Sequence, residues 1–81
     1  MKTLDDSARR YAEKSLMTFL EGGSYTRNHK PQSINWIMGV IQSSGIRRSE
    51  LMSVFQRLNG YGDPTRHSNA FAECQRHGWF N

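Results

Sequence analysis

The chain has 81 residues, a net charge of +4 and 36% hydrophobic residues, which suits a single domain over residues 1–81 and argues against a disordered tail. The lone cysteine excludes an internal disulfide scaffold, and no apolar run approaches the roughly 20 residues that span a bilayer. The first ten residues carry two aspartates and lack the apolar core of a secretion signal, so we expect a cytoplasmic protein without membrane association.

The first predicted element is a helix over residues 3–21. Its apolar residues recur every three or four positions, as on one face of a helix. Thr3 and Asp6 have the spacing of a capping box with Asp in place of Glu. Gly22 and Gly23 are expected to end the helix, because glycine adopts the left-handed conformation at low cost. The polar residues 24–32 that follow are predicted to form a loop.

A second helix is predicted over residues 32–44. Its core-facing residues are Ile34, Ile37, Met38 and Ile41. Trp36 and Val40 widen the apolar surface beyond a single stripe. We therefore expect this helix to be the central and most buried one.

The third and fourth helices are predicted over residues 48–58 and 64–77. Ile46 precedes Leu51 by five positions, which is the spacing of a hydrophobic staple across a helix start. Asp63 and Pro64 are a favoured N-cap and first helical residue for the fourth helix. No segment alternates with period two, so the predicted fold class is all-α, a small four-helix domain without a sheet.

The last three predicted helices have the order and spacing of a helix-turn-helix unit. The third helix opens with Ile46-Arg47-Arg48-Ser49-Glu50-Leu51, a glycine-containing turn follows, and the last helix begins Pro64-Thr65-Arg66. Residues 32–80 thus resemble a helix-turn-helix DNA-binding domain of the winged-helix kind. Only Asn81 follows Trp79 and Phe80, so the sequence contains no wing hairpin there. We therefore expect a wingless, trihelical helix-turn-helix domain preceded by an amphipathic helix.

This resemblance implies double-stranded DNA as the partner, with the fourth helix as the recognition helix in the major groove. Arg66 and Asn69 are the leading candidates for base contacts, since arginine pairs with guanine and asparagine with adenine. The other candidates on this helix are Thr65, Ser68 and Arg76. The hypothesis is a small transcription regulator of the kind common in bacteria and their mobile elements. Homodimerisation would fit, because one trihelical unit reads few base pairs.

The charge distribution supports a polyanionic partner. No acidic residue occurs between Glu21 and Glu50, so one side of the molecule is expected to be more positive than the other. The candidates for phosphate contacts in this stretch are Arg27 and Lys30 in the loop and Arg47 and Arg48 at the start of the third helix.

The alternative is a protein-binding adaptor or inhibitor from a phage or plasmid, which would dock its basic surface on an acidic partner. Tyr25, Tyr61, Trp79 and Phe80 lie in predicted loops or near the terminus, and aromatic side chains there are typical anchors of a protein interface.

Catalysis and metal binding are not expected. His67, Cys74 and His77 fall close together in sequence, but there is no Cys-x-x-Cys pair and no fourth ligand at a suitable spacing. We interpret them as a buried thiol with partly exposed imidazoles. No catalytic residue, metal or cofactor is predicted.

Overall fold

A computed structural model of the protein describes residues 4–22 and 33–80. Within these ranges the chain forms α1 (Leu4–Glu21), α2 (Ile34–Ser44), α3 (Arg48–Arg57) and α4 (Pro64–Arg76), and it contains no strand there. The predicted all-α fold class is confirmed. None of these helices combines the length and the apolar character that crossing a bilayer requires.

The starts of α2 and α4 are each held by an N-cap side chain, whereas the predicted capping box at Thr3 lies outside the described residues. Asp63 is the N-cap of α4, where its carboxylate accepts a hydrogen bond from the Thr65 N–H at 2.9 Å, and Pro64 occupies the first turn as predicted. Helix α2 begins later than predicted, because Ser33 is its N-cap and accepts a hydrogen bond from the Trp36 N–H at 3.1 Å. These caps fix the direction in which each helix leaves its loop.

One face of each helix contributes to a single core. The largest fully buried side chains are Leu16, Leu20, Ile37, Val54, Phe55 and Cys74. Burial of a large apolar side chain contributes about 1.5–3 kcal/mol relative to exposure, so this cluster supplies much of the stability of a domain of this size.

The central helix is α1, and the prediction that α2 would be central was wrong. Helix α1 packs against each of the other three helices, whereas α2 packs chiefly against α1 and α4. Trp36 and Val40, which suggested deep burial of α2, are only partly buried and lie against the core from outside. The 18 residues of α1 make it about 27 Å long, enough to span its shorter neighbours.

The residues after α4 fold back onto the core. Phe80 stacks on Phe71 with ring centroids 4.8 Å apart, and it meets the edge of Phe55 at 5.7 Å. This cluster joins the end of the chain to α3 and α4. Helix α4 is therefore held at both of its ends.

Candidate nucleic-acid interface

Helix α4 presents one continuous face to solvent. The exposed residues of this face are Thr65, Ser68, Asn69, Ala72, Gln75 and Arg76. They recur at helical spacing from Thr65 to Arg76, about 18 Å of helix. The face carries amide and hydroxyl groups and one guanidinium, and the partly exposed Glu73 lies at its edge. Its opposite side is anchored by the buried Ala70 and Cys74.

Arg66 is partly exposed, and its side chain lies against α1. Its guanidinium carbon lies 4.0 Å from the centroid of the Phe19 ring, and its Nε donates a hydrogen bond to the Phe19 carbonyl. A cation over an aromatic face is itself attractive. Arg66 therefore belongs to the packing between α4 and α1, and we leave this leading base-contact candidate out of the interface.

The same junction fixes the orientation of α4. The last carbonyls of a helix have no partner within it. At the end of α1 the Leu20 carbonyl accepts a hydrogen bond from the Asp63 N–H at 2.9 Å. Gly62 has φ +69°, and a Cβ there would lie 2.5 Å from the Leu20 oxygen. Together with the bond from Arg66 to Phe19, these contacts attach the start of α4 to the end of α1.

Two predicted phosphate contacts lie towards the other end of α4. Arg47 and Arg48 are exposed at the start of α3. Arg48 lines a groove of about 220 Å³ together with Trp79, only three residues beyond Arg76. Arg48 and Arg76 thus lie near the C-terminal end of α4. Arg76 is also paired with Glu73 at 2.9 Å, which reduces its net charge effect.

Arg27 and Lys30 lie outside the described residues. Gly22, the last described residue before them, lies close to Arg66, because a Cβ on Gly22 would be 3.6 Å from the Arg66 Cδ.

Several other arginines are engaged by acidic residues of α1. Arg9 lies 2.9 Å from Glu13 and 3.2 Å from Asp6, and Arg10 lies 3.3 Å from Asp6. Arg57 of α3 reaches Glu13 at 3.3 Å, so these ion pairs also join α1 to α3. The negative charges of Asp6 and Glu13 in α1 are therefore largely neutralised by these arginines.

A second groove, of about 370 Å³, lies between α3 and α4 beside the exposed face of α4. It is lined by Phe55, Gln56, Asn59, His67, Ser68 and Phe71. The His67 Nε2 lies 2.9 Å from the Phe55 carbonyl oxygen, which fixes the ring. Gln56 and Asn59 were missed as candidate residues, although their i, i+3 spacing places them on one side of the end of α3.

The residues considered as metal ligands each have another partner. His67 meets the edge of Phe55 at 5.4 Å, His77 stacks on Trp79 at 5.0 Å, and Cys74 is fully buried. Burial, with a smaller contribution from nearby Glu73, raises the pKa of the Cys74 thiol to about 12. Across the described residues, no group of three or more His, Cys, Asp or Glu side chains is placed to hold a metal ion.

No protein-family model matches the chain, and neither a curated protein nor a solved structure matches it. Its function is therefore inferred from its own residues and their geometry.

Proposed function

We propose that the protein binds double-stranded DNA through the exposed face of α4. The observation that carries this proposal is the exposed face of α4 from Thr65 to Arg76, whose exposed residues are not acidic; the partly exposed Glu73 at its edge is paired with Arg76. An α-helix fits the major groove of B-DNA, about 12 Å wide, and donors and acceptors on such a face reach the base edges. A small DNA-binding regulator is the role that fits this surface.

The individual side chains of the face suit base contacts. Asn69 and Gln75 carry amides, which pair with the N6 and N7 of adenine. Thr65 and Ser68 carry hydroxyls that bind bases or phosphates. The small side chain of Ala72 lets the helix approach the groove closely.

The phosphate contacts would come from both sides of α4. Arg47 and Arg48 lie at the start of α3, where the backbone N–H groups also favour an anion. Arg76 lies at the end of α4. Arg27 and Lys30 complete the set of expected phosphate contacts.

The decisive test places a negative charge in the centre of the α4 face. Asn69→Asp keeps the size of the side chain but should repel phosphates and lose the amide donor. We expect at least a ten-fold loss of affinity for a labelled random-sequence duplex, measured by fluorescence anisotropy at low salt. Asn35→Asp, at an exposed position of α2, makes the same charge change and serves as the matched control. Equal losses in the two variants would contradict the proposed interface.

The arginines at the start of α3 are tested through salt dependence. Each phosphate contact contributes about 0.9 to the slope of log affinity against log salt. Changing Arg47 and Arg48 together to alanine should therefore lower the slope by about 1.8. An unchanged slope would remove both residues from the interface.

An acidic protein partner is the second candidate, and the groove beside Trp79 favours it. Ile41, Ile46 and Leu51 give that groove apolar walls, and the cationic Arg48 lies among them. An apolar side chain flanked by a carboxylate would match this combination. Failure to bind any duplex at low salt would favour this candidate over DNA.

A further inference from the structure

The groove between α3 and α4 extends the proposed DNA-binding face beyond α4. Phe55 is buried and Phe71 partly buried, so they form its apolar walls. Gln56 and Asn59, from the end of α3 and the turn after it, are exposed at its edge. Ser68 is shared by this groove and the exposed face of α4. A DNA duplex that approaches the exposed face of α4 therefore also meets this groove.

The two amides at the edge are available to a ligand. The side chains of Gln56 and Asn59 make no hydrogen bond to another residue in the part of the chain that the structure describes. His67, by contrast, is fixed by the Phe55 carbonyl. The groove thus combines two uncommitted amides with an aromatic wall.

We propose that this groove makes DNA binding selective for A·T base pairs, an inference that rests on the proposed function. In the major groove adenine presents N7 and its N6 amino group, which an amide binds with two hydrogen bonds, and thymine presents a C5-methyl group. Gln56 or Asn59 supplies the amide, and Phe71 supplies an apolar contact for the methyl.

Guanine is not matched by the same surface. The typical contact to guanine O6 and N7 is a bidentate arginine or lysine. The arginine in the N-terminal half of α4 is Arg66, and it is bound to Phe19. The N-terminal half of the α4 face and the adjoining groove therefore offer amides and hydroxyls to the bases.

The experiment compares three duplexes that differ only in their central base pairs: A·T, G·C, and A·U, in which uracil lacks only the thymine methyl. We expect the A·T duplex to bind at least ten-fold more tightly than the G·C duplex. Replacing thymine by uracil should lower the affinity about four-fold, the factor expected for losing one buried methyl group. Minor-groove recognition would not sense this methyl, because it lies in the major groove.

Variants assign the selectivity to the groove. Changing Gln56 and Asn59 together to alanine should weaken the preference for A·T below that of the native protein, because only the amides of the α4 face then remain, whereas Asn35→Ala on α2 should retain it in full. Circular dichroism verifies that each variant is folded. An undiminished preference in the double variant, or equal affinity for A·T and A·U, would overturn the assignment to this groove. Measurable but equal binding to A·T and G·C would overturn the selectivity and leave DNA binding intact. No binding to any duplex at low salt would overturn both proposals.

Discussion

Replacing Gly62 by alanine should destabilise the domain far more than a surface substitution does. Gly62 lies in the turn between α3 and α4, with φ +69°, and its neighbour Asp63 donates a backbone hydrogen bond to the Leu20 carbonyl at 2.9 Å. A Cβ at this position would lie 2.5 Å from the Leu20 oxygen and 2.7 Å from the carbonyl carbon. The turn would have to move away from α1, and the start of α4 would move with it.

The expected loss follows from two contributions. The left-handed conformation costs a residue with a Cβ about 1–2 kcal/mol. Weakening the bond from the Asp63 N–H to the Leu20 carbonyl costs about 0.5–1.5 kcal/mol, and relief of the close contact adds to it. We therefore expect Gly62→Ala to lower the free energy of unfolding by about 2–4 kcal/mol. The free energy of unfolding of a domain of 81 residues is roughly 4–12 kcal/mol in total, so the expected loss is a large part of it.

Urea unfolding of the variant and of two glycine controls measures this loss. Gly60 has φ +90°, and a Cβ there would meet no atom within 4 Å, so Gly60→Ala tests the conformational cost alone, about 1–2 kcal/mol. Gly39 is exposed in α2 with open space around it, and Gly39→Ala should stabilise the protein by up to about 1 kcal/mol. If Gly62→Ala and Gly60→Ala unfold at the same urea concentration, the close contact with Leu20 is not important for stability.

Three further predictions concern α4. Arg66→Ala should lower the free energy of unfolding by about 1–3 kcal/mol in urea unfolding, because it removes the bond to α1; unchanged stability with lost DNA binding would identify a base contact instead. Asp63→Ala should lower the free energy of unfolding, measured by thermal unfolding, by about 1 kcal/mol. Asp63→Asn should lower it much less, because asparagine keeps a side-chain oxygen that accepts the N-cap hydrogen bond. Equal losses of stability in the two variants would contradict the role of Asp63 as the cap. Burial raises the pKa of Cys74 from 9.0 to about 12, so the native thiol should resist alkylation at about pH 8. Stability measured by urea unfolding should fall as the pH rises from about 9 towards 12, because the unfolded chain loses this proton first; a flat profile would contradict the shift.

Local features of the fold could be predicted from the sequence because neighbouring residues determine them. Asp63 and Pro64 start α4 through their own backbone and side-chain chemistry. Ile46 and Leu51 flank the N-cap of α3 at the positions of a hydrophobic staple and line one groove. The exposed face of α4 follows in the same way from helical spacing.

The arrangement of the helices could not be predicted because it depends on contacts between distant residues. The apolar surface of α2 indicated a central position, and although the predicted first helix was already the longest, the sequence does not reveal that the other three helices all pack against it. Arg66 and Asn69 are three positions apart on one helix, and helical spacing alone does not tell which of them meets α1. The second glycine of the turn, Gly62, was a usable signal, because a glycine beside a helix start also permits close approach of another backbone.

The role of Arg66 changes how loss of DNA binding must be interpreted. Because Arg66 attaches the start of α4 to the end of α1, its substitution would shift the whole exposed face even if it never touched a base. A substitution at Asn69 does not have this ambiguity, since that side chain is exposed on the opposite side of the helix from the core. A loss of affinity in Asn69→Asp without a loss of stability would therefore indicate a contact, whereas a loss of affinity in Arg66→Ala that accompanies a loss of stability would not. Measuring stability and binding on the same variants separates the residues that contact DNA under the proposed function from those that hold α4 in place.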